Sequence, residues 1–442
     1  MQRKDILFWL WLAHTLGAAN HDFRKLIVLY DNPYDLFHAE DSELERIPEI
    51  TPRTRKKLGD KDLSRATRIL DACEKLGIGV LPYGDEEYPA SLRELQDPPI
   101  VLYYSGTLPS FQSQLFLGMV GTRSMSAYGL RQAYKISFEL ASVGAVIVSG
   151  MAKGIDGVAA AAALSAKGST VAVLGCGLDI VYPLHHKNLM DAIRQNGVLI
   201  SEYPPGTKPN HYHFPVRNRI ISGLSQGTVV VEAGLKSGSL ITAKAAIMQG
   251  RDVFALPSNV GSEGGKGTIG LIKDGANAIA DTADILERYQ YVYAKALRME
   301  ALPKAMKNSG ADLAHLDRMG VIQWNGNAEK RERITPKTPD RTERSVRDTA
   351  KRAKSTEHTD VFRRQEKNGE GEKPLSPVSA AVLESLTPAQ LAILSAIPDD
   401  RAVSTDALSG LGYPYGEIIA ALTMLEITGL IQKLPGALYT KL

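Results

Sequence analysis

Short apolar segments alternate with glycine turns and alanine-rich amphipathic segments through the middle of this chain. AVIVSG, STVAVLGCG and GTVVVEA each have the pattern of a buried strand that ends at a turn, and helical periodicity follows most such segments. Strand, turn and helix in repetition is typical of a parallel sheet with helices on both faces. We therefore expect an α/β fold with a doubly wound, mostly parallel sheet over residues 76–290.

Three further regions flank this sheet. Residues 1–75 have helical periodicity, and IPEITPRTRKKL places a Pro-containing turn before a basic helix, which fits a SAM-like or helix-hairpin-helix module and equally fits simple helix packing. Residues 291–378 lose periodicity and are highly charged, which indicates a disordered basic linker. Residues 379–442 contain three helical segments and a hairpin, the order of elements in a winged helix.

Length, charge and cysteine content indicate the number of domains and the cellular compartment. The chain has 442 residues, enough for several domains, and a net charge of +3, with the positive excess concentrated in 301–375. Its two cysteines, Cys73 and Cys176, are too few and too far apart for a zinc cluster or a disulfide framework, so we expect a reducing, cytoplasmic compartment. No segment approaches the roughly 20 apolar residues of a membrane span, so no membrane partner is expected.

The glycine turns at the strand ends carry the candidate chemistry, because ligands of open α/β sheets bind beyond the carboxyl ends of the strands. Gly121, Thr122 and Arg123 follow one strand and combine a tight turn with a hydroxyl and a guanidinium. The segment SGMAKGID follows the next strand and offers Ser149, Gly150 and Lys153. Each turn suits an anion such as phosphate.

The segment HFPVRNRIISGLS adds a denser set of hydrogen-bond donors. Arg217, Asn218 and Arg219 precede an apolar run at helical spacing, which predicts a helix start that carries the donors and binds phosphate. A surface pair of salt-bridged arginines is the alternative. Neither Arg123 nor Arg217 is expected to be buried without its ligand. A similar helix start follows Ser237, Gly238 and Ser239.

Several other chemistries do not fit the sequence. GCGLDI lacks the third glycine of a dinucleotide fingerprint, and VGSEGGKGT lacks the first glycine and the Ser or Thr of a P-loop. His211 and His213 have no third ligand nearby, and no G-x-S-x-G segment is present. We therefore expect no cofactor, no metal and no catalytic residue. Several anion turns along one rim suit a polyphosphate chain. Phe214 could stack on a base of such a chain. Alternatively, it could be a core residue that anchors its loop.

Together these motifs resemble those of the DNA-processing protein A family (DprA, also called Smf). The match runs in order through GTR, SGMAKGID, GCGLDIVYP, SEYPPG, HFPVRNRIISGLS, SGSLITA and GLIKDGA, and covers about 80–287. Two positions depart from the family pattern: Ser258 stands where Gly is usual after Pro257, and Ile269 stands where Asn is common.

The resemblance implies a Rossmann-like, non-enzymatic protein that binds single-stranded DNA and loads RecA recombinase onto it during natural transformation, usually as a homodimer. Carried over to this chain, the DNA-binding set would be Gly121, Thr122, Arg123, Ser149, Gly150, Lys153, Phe214, Arg217, Asn218 and Arg219, with Ser237, Gly238 and Ser239 nearby.

Two other functions remain open from the sequence. A Rossmann-like nucleotide phosphoribohydrolase would share the general layout, although VVVEAGLKSGS lacks the glycine pattern P-G-G-x-G-T of those enzymes. A winged helix that reads duplex DNA is the other, but residues 387–442 carry a net charge of −2, which suits protein docking better than phosphate binding.

Overall fold

The computed structural model describes residues 2–47, 50–323, 386–398, 403–413, 415–427, 430–434 and 438–441. The chain divides into two compact units, Met1–Pro339 and Asp340–Leu442. Within the described ranges no helix is both long enough and apolar enough to cross a membrane.

Six helices form the N-terminal part of the first unit, as the periodicity of residues 1–75 predicts. They are α1 (Arg3–Leu16), α2 (Asp22–Tyr30), α3 (Pro33–His38), α4 (Asp41–Glu45), α5 (Pro52–Leu58) and α6 (Ser64–Leu76). Two of them begin with a proline behind a capping side chain: Asn32 accepts from the backbone N–H of Asp35, and Thr51 from that of Thr54. The buried side chains of these helices belong to the same apolar cluster as one face of the sheet, so this region is not a separate unit.

A nine-stranded sheet forms the centre of the first unit. Its strands are β1 (Gly79–Pro82), β2 (Val101–Gly106), β3 (Phe116–Val120), β4 (Val146–Ser149), β5 (Thr170–Leu174), β6 (Val198–Ser201), β7 (Gly227–Val230), β8 (Asp252–Ala255) and β9 (Asn277–Ala278). They lie in the order β1-β2-β6-β5-β4-β3-β7-β8-β9. β2 pairs antiparallel with β1 and with β6, whereas all strands from β6 to β9 pair in parallel. The expected mostly parallel, doubly wound sheet is confirmed.

Helices cover both faces of this sheet. They are α7 (Ala90–Arg93), α8 (Ala127–Ser142), α9 (Ile155–Ser165), α10 (Lys187–Asn196), α11 (His213–Leu224), α12 (Ser239–Met248), α13 (Lys266–Lys273) and α14 (Thr282–Leu286). The alternation along β3 shows how one strand serves two cores: Leu117 and Met119 pack into the cluster with α8 and α9, and Phe116 and Val120 into the cluster with α11 and α12.

The strand order reverses beside β3, and this reversal positions the site. From β3 the chain winds outward through β4, β5 and β6, then returns to the other side of β3 as β7 and continues to β8 and β9. The loops that leave β3 and β7 therefore diverge over opposite faces of the sheet. Such a switch point opens a crevice beyond the carboxyl ends of the two strands, which is where ligands of this fold class bind.

Residues 291–323 contradict the expected disordered linker. They contain α15 (Leu302–Asn308) and α16 (Leu313–Arg318), and they bury Leu297, Ala305, Leu316 and Val321 against the core. We call residues 297–323 the strap. The linker prediction is wrong for 291–323 because the apolar residues of this segment pack against the rest of the first unit. The remainder of the predicted linker, 324–378, lies outside the described residues.

The described part of the second unit is a small helical and antiparallel β structure. It comprises α17 (Pro388–Ala396), α18 (Thr405–Leu408) and α19 (Tyr415–Ile427), with β10 (Val403–Ser404), β11 (Ile431–Leu434) and β12 (Leu438–Lys441) in the order β10-β12-β11. Ile393, Ile418, Leu422 and Tyr439 are buried in one core. Three helices and a terminal hairpin confirm the expected winged helix.

Candidate functional site

A cleft of about 1030 Å³ lies at the switch point of the sheet. It is bounded by the turns that follow β3 and β7 and by the N-terminal parts of α11 and α12. The polar and aromatic side chains that line it are Thr122, Arg123, Ser124, Asp156, Tyr182, His211, Phe214, Arg217, Asn218, Lys236, Ser237, Ser239, Thr242 and Glu263. Among the predicted residues, the structure brings Gly121, Thr122, Arg123, Phe214, Arg217, Asn218 and Ser237–Ser239 together here.

The turn after β3 is held by close backbone packing. The Thr122 N–H donates to the Glu232 carbonyl oxygen at 2.7 Å. A Cβ at position 121 would lie 2.5 Å from Ile155 Cγ1, so Gly121 is required for the approach of α9. Arg123 leaves this fixed turn with its Cζ 5.4 Å from the centroid of the Phe214 ring. A rigid turn thus carries a guanidinium that lines the cleft.

The turn after β4 contributes in three different ways. Ser149 is fully buried and its hydroxyl donates to the Met119 carbonyl oxygen at 2.7 Å, so this residue links two strands and does not line the cleft. Gly150 leaves room for Arg217, whose guanidinium would overlap any Cβ at position 150. Lys153 is exposed and, with Arg123 and Arg217, lines a side pocket of about 50 Å³ that also contains Gly150.

Arg217 is buried, contrary to the sequence prediction. Only 4% of it is exposed, its Nη1 donates to the Val173 carbonyl oxygen, and its Nε has no partner among the described residues. Burial lowers the pKa of Arg217, while the nearby Asp156 carboxylate opposes that shift. Burial likewise raises the pKa of Asp156. The buried carboxylate thus offsets part of the cost of keeping a guanidinium at the base of the cleft.

The expectation that both arginines face an anion is wrong for Arg219, which pairs with two carboxylates. It makes two hydrogen bonds of 2.7 and 2.8 Å to the carboxylate of Glu202 and lies 3.3 Å from Asp97. It is only 8% exposed and does not line the cleft. Arg219 therefore connects α11 to the segments that follow β6 and α7. This contact resembles the alternative of a salt-bridged surface arginine, except that the ion pair is buried.

Of the two predicted helix starts, that of α11 differs from expectation and that of α12 does not. α11 begins at His213, so Arg217 lies in the second turn and the arginines do not coincide with the free N–H groups. α12 begins at Ser239, next to the cleft, as predicted. The hydroxyls of Ser237 and Ser239 are 2.8 Å apart. The Asn218 side chain donates to the Gly238 carbonyl oxygen at 3.4 Å, which joins the second turn of α11 to the start of α12.

Two aromatic residues stack at the wall of the cleft. The rings of Tyr182 and Phe214 have centroids 5.4 Å apart and planes inclined by 21°. Phe214 also packs over Gly175, where a Cβ would approach its ring to 3.0 Å. Sequence reasoning missed Tyr182, although it lies in GCGLDIVYP, and it missed Lys236 and Asp156, which follow strand ends in the same way.

His211 and His213, at the start of α11, have local contacts. The His213 ring stacks on Tyr203 with centroids 4.1 Å apart, and its Nδ1 lies 3.1 Å from the Gly175 carbonyl oxygen. The exposed His211 ring lies against Tyr212. Over the described parts of the chain, no group of three metal-ligating side chains comes together.

Charges around the cleft favour an anion. Asp156 lies beside Arg217, and Glu263 pairs with Lys266 at 2.5 Å. Arg123, Lys153 and Lys236 add positive charge at the cleft and its side pocket. A cleft with positive groups from several elements and partly exposed aromatic rings is suited to a polyanion that carries flat apolar groups.

Comparisons with known proteins assign the region that contains this cleft to a family. Residues 79–290 match the family model described as DNA recombination-mediator protein A, and residues 377–437 match that of the DprA winged helix domain. The chain is 44% identical over 220 residues to DNA processing protein DprA of Bacillus subtilis (strain 168), covering 50% of this chain and 74% of the relative. It is 32% identical to protein Smf of Synechocystis sp. over the full length of both. The X-ray structure of DNA processing protein A (DprA) from Streptococcus pneumoniae has 33% identity and a TM-score of 0.57, covering 64% of this chain and 97% of that one.

Proposed function

This chain belongs to the DNA recombination-mediator protein A family, and from that premise we propose that it binds single-stranded DNA along the cleft. The observation that carries the proposal is the convergence of Arg123, Lys153, Arg217 and Lys236 with the stacked rings of Tyr182 and Phe214 at the switch point of the sheet. Phosphate contacts would come from the cations and the helix start of α12, and base contacts from the rings.

The shape of the cleft favours a single strand over a duplex. Its aromatic rings can stack only on bases that are not already stacked within a double helix. Its cations lie on several separate turns of one rim, which suits a flexible backbone that follows the groove. Binding of this kind holds a strand without reading its sequence, as a protein that processes incoming DNA of any sequence requires.

Membership of the family supports a proposal for the wider role. We propose that the bound strand is passed to RecA recombinase during natural transformation, that the protein works in the cytoplasm, and that it acts as a homodimer. Buried free thiols at Cys73 and Cys176 are compatible with a reducing compartment. The rate at which RecA filaments nucleate on a single strand coated with a single-strand-binding protein, measured with and without this protein, tests the transfer to RecA. Sedimentation of the free protein gives its oligomeric state and tests the homodimer.

Competition at two salt concentrations tests the binding proposal. A labelled single strand should be displaced by unlabelled single-stranded DNA at much lower concentration than by a duplex of the same length, and binding should weaken as salt rises because counterions are released. Equal competition by duplex and single strand would contradict the proposal.

The enzyme alternative predicts a different product. A nucleotide phosphoribohydrolase would release free base from a nucleoside monophosphate. The candidate catalytic acid of such an enzyme, Glu232 in the loop after β7, is already engaged in hydrogen bonds. Its Oε2 accepts from the Ser126 N–H at 2.9 Å and from the Ser126 hydroxyl at 3.1 Å. We propose a binding protein without enzymatic activity, so incubation with nucleoside monophosphates should yield no free base. Release of base at a rate that depends on Glu232 would support the enzyme.

A further inference from the structure

Tyr182 lies at the wall of the cleft and is a candidate for direct contact with a base. It is 38% exposed, lines both the cleft and the side pocket, and stacks one face of its ring on Phe214. Its position follows from the loop between β5 and α10, which crosses the carboxyl end of the sheet. An exposed tyrosine ring already fixed by a parallel neighbour is a preorganised stacking surface.

Phe214 is less available than its sequence position indicates. Its π surface contacts the Tyr182 ring at a centroid distance of 5.4 Å and the Arg123 guanidinium, also at 5.4 Å. The backbone of Gly175 packs against the same ring. These three neighbours leave Phe214 only partly exposed, so much of its surface is used inside the protein.

We propose that Tyr182 is the residue on which a nucleobase of the bound strand stacks, and that Phe214 is a positioning residue for Tyr182 and Arg123. The base extends a stack that the protein has already begun, at the point where Arg123 holds an adjacent phosphate. Any base can occupy this place because every base has a π face. This inference rests on the proposed function, since it assigns a contact within the same cleft.

The experiment compares two oligonucleotides of equal length: oligo(dT), and the same sugar-phosphate backbone with abasic sites throughout. The parent should bind oligo(dT) more tightly. Tyr182→Ala should weaken oligo(dT) binding by roughly 5- to 100-fold and remove most of the difference between the two strands, while leaving abasic binding nearly unchanged. Fluorescence anisotropy of the labelled strands provides both affinities.

Three further variants separate stacking from folding. Tyr182→Phe keeps the ring and should bind like the parent, whereas Tyr182→Leu keeps an apolar side chain without a π face and should behave like Tyr182→Ala. Tyr291 is 85% exposed and does not line the cleft, so Tyr291→Ala should change neither affinity.

The outcomes distinguish this inference from the function on which it rests. If Tyr182→Ala discriminates between the two strands as the parent does, Tyr182 is not the stacking residue. If the parent binds both strands equally, stacking at Tyr182 fails while phosphate binding in the cleft stands. If the parent binds neither strand, the proposed function fails, and the assignment of Tyr182 fails with it.

Discussion

Arg217 and Arg219 are two residues apart on α11, and that spacing gives them opposite surroundings. Successive residues of a helix are rotated by about 100°, so side chains at i and i+2 point in different directions. One guanidinium therefore reaches the base of the cleft beside Asp156, and the other reaches Glu202 and Asp97. The donor-rich sequence RNR predicts that both arginines face an anion, but the structure places only Arg217 at the cleft. The sequence does not reveal which arginine already has carboxylate partners.

Replacing Arg219 should affect stability far more than DNA binding. Arg219→Ala would leave the buried Glu202 carboxylate without its main partner, so we expect the free energy of unfolding to fall by about 3–5 kcal/mol. The salt dependence of DNA binding should stay that of the parent. Chemical denaturation measures the first quantity, and a loss below about 1 kcal/mol would contradict the structural role.

The same variant should respond to pH in a defined direction. Burial raises the pKa of Glu202 in the folded protein, opposed by Arg219, and removal of Arg219 raises that pKa further. The folded variant then binds a proton more readily than the unfolded chain, so lower pH favours its folded state. Its deficit relative to the parent should shrink as pH falls from 8 towards the unfolded pKa of about 4.3. A deficit that grows on acidification would contradict this account.

At the scale of elements, the sheet and its turns are predictable from sequence and the strap is not. Buried parallel strands are short runs of β-branched and apolar residues that end at glycine, and this pattern is local. The strap has only short helices, α15 (Leu302–Asn308) and α16 (Leu313–Arg318), and these depend on contacts with α8 and α9 that are distant in sequence. His315, for example, places its Nε2 3.1 Å from the Ala161 carbonyl oxygen.

A buried carboxylate attaches the strap to α8. Glu139 is fully buried and accepts hydrogen bonds from the hydroxyls of Ser309 at 2.6 Å and Thr282 at 2.5 Å. Ser309→Ala should lower the free energy of unfolding by about 1.5–3 kcal/mol, because a charged acceptor loses a donor. The exposed Ser113→Ala should change it by less than about 0.5 kcal/mol.

A double-mutant cycle shows whether this loss belongs to the Glu139 contact. In a Glu139→Gln background the effect of Ser309→Ala should be clearly smaller than in the parent, because the charged acceptor is already absent. Equal losses in the two backgrounds, measured by denaturation, would mean that Ser309 acts through another contact.

At the scale of the whole molecule, the predicted division at residue 75 marks a change of secondary structure but not of core. Trp9 and Phe23 from the N-terminal helices share one apolar cluster with Tyr103 of the sheet and Leu316 of the strap. Sequence reveals the period of each segment but not which segments share a core, because such contacts join residues far apart in the chain. Residues 76–290 cut out alone would expose this face to water, so we expect binding to need the whole of the first unit.

The salt dependence of single-strand binding by Arg123→Ala tests the central claim most directly. Arg123 lines the cleft from a rigid turn, whereas Arg131 is an exposed residue of α8 that does not line it, so Arg131→Ala is the matched control. If Arg123 neutralises one phosphate, its loss should reduce the slope of log affinity against log salt by roughly 0.7, equally for different base sequences, with the control unchanged. An Arg123→Ala protein that is folded and binds a long single strand with the affinity and slope of the parent would contradict the account.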